Sequence, residues 1–184
     1  MQLKQVLFIQ GGGNGGYEAD AILVAALQTE LGKDYTVHYP RMLPDETVED
    51  FVPQWLNTME KEIASFEGGV IVAGHSLGAS MLLKYLSEYK AGKNITGVFL
   101  MAPPFWSGTE DWVQPLKLEE GFAAKLPANT PLFFYQCIDD EVVPYQHFTI
   151  YQQLVPWAAF RETGNGGHQF TNGLALVARD IKGI

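Results

Sequence analysis

The sequence predicts an α/β fold in which a mostly parallel, six-stranded sheet lies between two layers of helices, within one domain spanning residues 1–184. Short continuous apolar runs, typical of strands buried on both faces, alternate with segments whose apolar residues have helical spacing. This alternation favours parallel strands joined by helical crossovers. The length of 184 residues suits a single substantial core.

The first half of the chain predicts two strands and two helices. Residues 6–9 form an apolar run that ends before a glycine loop, and residues 35–39 are β-prone and end at a proline. Apolar residues at helical spacing predict helices over residues 19–31 and 48–66. Because parallel crossovers are short and right-handed, we expect the first strand to lie between the second and the third.

The second half continues the same alternation. The predicted strands cover residues 69–73, 95–101, 131–137 and 158–161, and the predicted helices cover residues 77–89, 145–154 and 170–181. Active sites in such sheets lie at the carboxyl ends of the strands. Functional residues are therefore expected in the segments that follow strands.

One such segment, between a predicted strand and a predicted helix, contains Gly74-His75-Ser76-Leu77-Gly78. Gly-X-Ser-X-Gly in this context is typical of the nucleophile elbow of serine hydrolases, a tight and strained turn that projects the serine oxygen clear of the backbone. Glycines flank it because side chains there would collide with the crossing strand and helix. We predict that Ser76 is a nucleophile, against the plainer interpretation of a glycine turn with an incidental serine.

A nucleophilic serine needs a base, which is usually a histidine held by a carboxylate. His168 lies in a glycine-rich loop between the last strand and the last helix, and this loop can bring its imidazole over the sheet edge to Ser76. We expect His75 to pack with its ring pointing away from the serine, His38 to be a core or edge residue, and His147 to be exposed. His168 is therefore the predicted base.

The carboxylate is expected just after the fifth predicted strand, where the chain contains Asp139-Asp140-Glu141. Three adjacent acids alone also fit a solvated loop that caps the following helix. With Ser76 and His168 they complete the chain order Ser, Asp, His. We expect one acid to point at the histidine, and its neighbours to face solvent or cap the helix.

The motifs Gly-His-Ser-Leu-Gly, Asp-Glu-Val-Val-Pro and Gly-Gly-His, in this order along the chain, resemble those of the α/β-hydrolase superfamily. The short length, the glycine loop and the double aspartate resemble its small single-domain serine hydrolases, the group that includes retinoblastoma-binding protein 9 and bacterial YdeN-like proteins. The resemblance implies a minimal α/β-hydrolase fold and Asp140, rather than Asp139, as the catalytic aspartate. We expect a carboxylesterase that acts on a small ester through an acyl-enzyme, with no cofactor and no metal.

An oxyanion hole needs two backbone N–H donors. Leu77, which follows the nucleophile, is the first expected donor. The superfamily's loop after the first strand often has the sequence His-Gly-X, and here the chain has Gln10-Gly11-Gly12. The resemblance therefore implies Gly12 as the second donor, with Gly13 as a near alternative.

Residues 103–129, between the fourth and fifth predicted strands, are too many for a simple crossover and too aromatic for a solvated loop. We expect a crossover helix at about residues 118–126. Phe105 and Trp106 follow a strand end beside the elbow, and we expect them to line a substrate pocket.

Two other functions are compatible with parts of the sequence. Gly11, Gly13 and Gly16 also satisfy Gly-X-Gly-X-X-Gly, which predicts a dinucleotide-binding oxidoreductase. The acid that such a site expects on the second strand is missing from residues 35–39. A catalytically silent binding module on a hydrolase scaffold is the third hypothesis, because a fold does not determine a function.

Composition excludes several classes of partner. A net charge of −9 and a pI near 4.8 argue against nucleic acid or anionic membranes as partners. The single cysteine, Cys137, excludes an internal disulfide and suits a reducing compartment. The sequence shows no signal-peptide pattern and no apolar stretch long enough to span a bilayer, so we expect a cytoplasmic protein.

Overall fold

The computed structural model describes residues 3–13, 15–44, 49–89, 95–108 and 114–184. Its strands are β1 (Lys4–Ile9), β2 (Tyr35–His38), β3 (Val70–His75), β4 (Ile95–Met101), β5 (Leu132–Cys137) and β6 (Ala159–Thr163). Its α-helices are α1 (Gly16–Leu31), α2 (Phe51–Ala64), α3 (Leu77–Glu88), α4 (Phe122–Lys125), α5 (Tyr145–Leu154) and α6 (Ala175–Lys182), and a 3-10 turn covers Gln114–Leu116.

The six strands form one sheet in the order β2-β1-β3-β4-β5-β6, and every neighbouring pair is parallel. The predicted position of the first strand between the second and third is therefore confirmed. After β1 the chain forms β2 at one edge of the sheet, and it then crosses back to form β3 on the other side of β1. The carboxyl ends of β1 and β3 thus flank the point where the strand order reverses, which is where ligands bind in open α/β sheets.

Helices cover both faces of the sheet, so the predicted three-layer α/β/α architecture is confirmed. Alternation along β1 shows how the sequence produces the two layers: Leu7 and Ile9 face one core, and Val6 and Phe8 face the other. The first core also contains side chains from α2, α3 and α5, and the second contains side chains from α1 and α6. Burial on both faces explains the continuous apolar runs in the sequence.

Two helices differ from their predicted bounds for backbone reasons. In place of the predicted crossover helix at 118–126, α4 has only four residues. Gly121 before it has a positive φ of 72°, and Leu126, which precedes a proline, is extended with ψ 148°. The last helix begins at Ala175 instead of residue 170, because Phe170 has a positive φ of 46° and cannot continue a right-handed helix.

Some predicted features lie outside the described residues, namely the first residue of the helix predicted from residue 48 and residues 109–113 of the long segment 103–129. None of the described helices is both long and apolar enough to cross a membrane. Within the described ranges, no cluster of three or more histidine, cysteine or acidic side chains could hold a metal ion.

Candidate active site

Ser76 lies at the turn between β3 and α3 and has φ 51° and ψ −120°, a conformation that non-glycine residues rarely adopt. Its N–H donates to the Met101 carbonyl oxygen at 2.8 Å, which extends the pairing of β3 and β4 as far as the serine. A Cβ at Gly74 would lie 2.9 Å from the Ala79 nitrogen, and one at Gly78 would lie 2.3 Å from the Gln10 carbonyl oxygen. The glycines are therefore required by close approach, as the sequence predicted.

Ser76 opens into a cavity of about 540 Å³, a volume typical of small-molecule sites. The cavity is lined by the glycine loop after β1, by the elbow, by the loop that carries His168, and by the side chains of Phe51, Trp106, Leu116, Val142 and Val143. It lies at the carboxyl ends of β1 and β3, at the switch point of the sheet.

The structure brings His168 and Asp140 together beside this cavity. The Nδ1 atom of His168 lies 3.0 Å from Oδ2 and 3.1 Å from Oδ1 of Asp140. The Asp140 side chain is completely buried, and the His168 side chain is 7% exposed. Since His168 lines the cavity with Ser76, the three predicted residues converge on one site.

The electrostatics of this site keep Asp140 ionised. Burial raises the pKa of the carboxyl, but the hydrogen bonds from His168, Val143 and Val142 outweigh burial and leave the pKa below its ordinary value. Gln136 donates a further hydrogen bond to Oδ2 at 2.7 Å. A carboxylate that accepts this many bonds is fixed in orientation, and it fixes the histidine.

The acids on either side of Asp140 are exposed, and they also bind the loop that carries the histidine. Asp139 accepts hydrogen bonds from the N–H groups of Gly166 (3.2 Å) and Gly167 (2.9 Å), and Glu141 accepts one from the N–H of His168 (3.0 Å). The prediction that they face solvent is confirmed, because both residues are exposed and α5 has no side-chain cap. The sequence did not indicate that the glycine-rich loop would also present backbone donors to them. All three acids therefore hold the loop that carries the histidine.

The proposed oxyanion donors come from two different loops, one after β1 and one after β3. Gly12 and Leu77 both line the cavity, as does the alternative donor Gly13. Gly11 approaches the elbow closely, since a Cβ built on it would lie 3.3 Å from the Ser76 Cβ. The backbone after β1 thus lies close to the Ser76 side chain.

The two aromatic residues that were predicted to line the pocket lie in different surroundings. Trp106 lines the cavity, whereas Phe105 is not among the lining residues; its ring packs edge-on against Tyr151 with centroids 5.6 Å apart. The structure therefore does not place Phe105 at the wall of this cavity, in contrast to the prediction. Between β4 and these residues, the Pro104 carbonyl oxygen accepts hydrogen bonds from Ser80 Oγ and Tyr151 Oη, both at 3.0 Å, which fixes the segment over the elbow.

One histidine was placed wrongly by the sequence, and another has contacts that the sequence did not indicate. His147 is buried, and its Nδ1 accepts the Phe105 N–H at 3.0 Å. His75 is also buried, but it does more than pack: its ring contacts the carboxylate of Asp20 and the backbone of His168, and it lines the cavity. No local pattern indicates either contact, because Asp20 and His168 are 55 and 93 residues from His75 in the chain.

A nucleophile elbow at the switch point of a doubly wound parallel sheet, with a histidine–aspartate pair at the same cavity, defines the α/β-hydrolase class. The model of a family described as serine hydrolase matches residues 24–170, a span that includes Ser76, Asp140 and His168. The chain belongs to this serine hydrolase family.

Solved structures show the same fold at low sequence identity. A meta-cleavage product hydrolase from Pseudomonas fluorescens IP01 is similar with a TM-score of 0.78 and 15% identity over 99% of this chain and 92% of that one. The ydeN gene product of B. subtilis has a TM-score of 0.73 and 18% identity over 98% and 97% of the two chains. Polyneuridine aldehyde esterase has a TM-score of 0.72 and 12% identity over 98% and 100%. No curated protein sequence matches the chain.

Proposed function

We propose that the protein is a carboxylesterase that cleaves small, uncharged esters through an acyl-enzyme. The observation that carries the proposal is the position of the His168–Asp140 pair at the cavity into which Ser76 opens from a strained elbow. Ser76 is the nucleophile, His168 is the base, Asp140 orients it, and the N–H groups of Gly12 and Leu77 bind the oxyanion.

The hydrogen bonds support the following positions for the protons in this reaction. Asp140 is an ionised acceptor, so Nδ1 of His168 carries hydrogen and Nε2 is free to act as base. Nε2 takes the Ser76 proton as Oγ attacks the ester carbonyl, and the carbonyl oxygen becomes the oxyanion. Nε2 then returns the proton to the leaving alcohol, and water repeats the sequence to release the acid.

The lining of the cavity supports an uncharged, mainly apolar substrate. Apart from the site's own Asp20, His75 and His168, the described lining residues carry no ionisable side chain, and none is lysine or arginine. A carboxylate or phosphate on the substrate would therefore find no counter-charge and would be repelled by the net charge of −9. We propose that Trp106 contacts the substrate.

The glycine loop also argues against a dinucleotide. The Gly11 N–H already donates to the Asp20 carboxylate at 2.6 Å, so a phosphate placed there would lose a donor and meet a negative charge. The hydrolase interpretation uses the same loop without that conflict, because it needs only the Gly12 N–H and leaves the Gly11 N–H bonded to Asp20.

The test is hydrolysis of a panel of p-nitrophenyl esters, half with neutral acyl groups and half with an acyl group ending in a carboxylate. We expect turnover of the neutral set only, lost in Ser76→Ala and retained in Ser107→Ala, a matched control at an exposed serine. A folded wild-type protein that cleaves no neutral ester would refute the proposal and favour a silent binding module. Binding of NAD or NADP would favour the oxidoreductase hypothesis.

A further inference from the structure

A second acid–imidazole pair, Asp20 and His75, is buried behind the proposed catalytic groups. Each side chain is 1% exposed, and no step of ester cleavage as described above uses either of them. The Nδ1 atom of His75 lies 2.9 Å and 3.1 Å from the two carboxylate oxygens of Asp20. Two ionisable groups in a fully buried position need a reason to be there, because burying them is costly unless their bonds are satisfied.

The pair connects the two loops that flank the serine. On one side, Asp20 Oδ2 accepts the N–H of Gly11 at 2.6 Å, one residue before the proposed oxyanion donor Gly12. On the other side, His75 Nε2 lies 2.9 Å from the carbonyl oxygen of His168. His75 itself directly precedes Ser76 in the elbow. One continuous chain of hydrogen bonds thus joins the glycine loop, the elbow and the histidine loop.

The acceptors determine where hydrogens lie in this chain. A carbonyl oxygen can only accept, so Nε2 of His75 donates to His168. The Gly11 N–H can only donate, so Asp20 Oδ2 accepts. One hydrogen remains between His75 Nδ1 and Asp20. It satisfies the hydrogen bonding of both side chains, whether the nitrogen or the carboxylate oxygen carries it. The pair is therefore satisfied without any exchange of protons with the substrate.

We infer that Asp20 and His75 are positioning residues that hold the oxyanion loop and the backbone of His168 at fixed places relative to Ser76. With this contact His168 is held at three points: Nδ1 by Asp140, the N–H by Glu141, and the carbonyl oxygen by His75. The His75 ring also lies against the His168 ring, with centroids 4.7 Å apart. The inference rests on the proposed function for its kinetic consequence, but not for its geometry.

Two substitutions at Asp20 distinguish a role in positioning the loops from a requirement for the negative charge of its carboxylate. In Asp20→Asn the amide oxygen can still accept the Gly11 N–H, and the amide NH₂ can donate to Nδ1 of a neutral His75, so both links remain. Asp20→Ala removes both links. We expect kcat for a neutral p-nitrophenyl ester to fall about 10²-fold in Asp20→Ala, the scale of an ångström-size misplacement, with KM little changed. Asp20→Asn should stay within a few-fold of wild type.

His75→Phe is a second way to break the chain of hydrogen bonds. It keeps a ring against His168 and removes both hydrogen bonds, so it should match the kcat loss of Asp20→Ala. If Asp20→Ala does not fold, His75→Phe provides the comparison with Asp20→Asn. A structural role alone would lower the folded fraction in these variants, but would leave kcat per folded molecule unchanged.

Proton NMR reads the positioning independently of activity. Hydrogen-bonded imidazole Nδ1–H protons resonate far downfield, and the wild type should show one for the His168–Asp140 contact, distinguished from any signal of the His75–Asp20 pair by its absence in His168→Gln. That resonance should keep its position in Asp20→Asn and shift or broaden in Asp20→Ala and His75→Phe. A wild type that shows the resonance but cleaves no ester would refute the proposed function, while the comparison between variants would still decide the positioning role.

Two outcomes would overturn the inference. The first is a folded Asp20→Ala with wild-type kcat and an unmoved His168 resonance, which would mean that the pair holds nothing the site needs. The second is an Asp20→Asn that loses as much kcat as Asp20→Ala, which would mean that the charge of Asp20, and not its two links, is required.

Discussion

Substitution of Gly78 by alanine perturbs the proposed site without touching any reacting group. Gly78 is the second residue of α3 and packs against the end of β1. A Cβ there would lie 2.3 Å from the Gln10 carbonyl oxygen and 2.4 Å from that of Ile9, about 1 Å short of the 3.4 Å at which ordinary contact begins. Both obstacles are backbone atoms, so the start of α3 and the end of β1 must separate.

That separation acts directly on the two proposed oxyanion donors. Leu77 precedes Gly78 at the start of α3, and Gly12 follows Gln10 by two residues, so the donors move apart by a distance on the order of 1 Å. A misplacement of that size costs about 10²-fold in rate. Overpacking of this kind costs about 1–3 kcal/mol of stability. Each kcal/mol lowers the Tm by about 2–4 °C in a chain of this size.

The assay is kcat and KM for a neutral p-nitrophenyl ester together with the Tm from a thermal scan. Gly164→Ala is the matched control, because a Cβ at Gly164 meets no atom within 4 Å and its φ is not in the left-handed region. We expect Gly78→Ala to lose kcat and Tm, and Gly164→Ala to keep both. Wild-type kcat and Tm in Gly78→Ala would refute the reasoning, because the two loops could then separate without consequence.

Two further predictions concern titrating groups. Asp140→Asn should lower kcat about 10³-fold or more with little change in KM, because an amide cannot accept hydrogen bonds from all four donors that meet the carboxylate. Asp139→Asn should lower kcat far less, because it loses only one of two exposed hydrogen bonds to the histidine loop. A larger loss in Asp139→Asn than in Asp140→Asn would contradict the assignment of Asp140. Burial lowers the pKa of His147 below its usual value of 6.5, although the negative charge of Asp140 acts in the opposite direction. Below pH 6.5 the unfolded chain therefore binds a proton at this histidine that the folded chain does not bind, and the folded state loses stability as the pH falls. The Tm of His147→Gln should therefore fall less than that of wild type between about pH 7 and pH 5, and equal slopes would contradict the prediction.

Local patterns were sufficient to predict the sheet. The apolar runs at 6–9 and 95–101 predict buried strands, and the structure has strands at Lys4–Ile9 and Ile95–Met101. The elbow was equally accessible, because its function requires glycines and a serine at adjacent positions. Where helix bounds were wrong, the reason was also local: Gly121 and the proline after Leu126 limit α4 to one turn, and that signal was present in the sequence.

The second half of the site depends on contacts that no local pattern records. The ring of His75 contacts Asp20, which is 55 residues away in the chain, and the carbonyl of His168, which is 93 residues away. Contacts between residues so far apart produce no periodic pattern in the sequence. His147 is buried and accepts a hydrogen bond from the Phe105 N–H, a contact between residues 42 positions apart that only the tertiary structure determines. The direction in which each of the three adjacent acids points depends on the turn between β5 and α5. The residues alone therefore do not distinguish Asp140 from its neighbours, and the choice of Asp140 rests on the resemblance to small serine hydrolases.

The most direct test of the proposed mechanism is the site of covalent attachment. The protein is incubated with a fluorophosphonate, its intact mass is measured, and the labelled peptide is sequenced by mass spectrometry. We expect one label per chain on the peptide that contains Ser76, and no label in a folded Ser76→Ala. A label that maps to another residue, or that persists in Ser76→Ala, would contradict the assignment of Ser76 as the nucleophile.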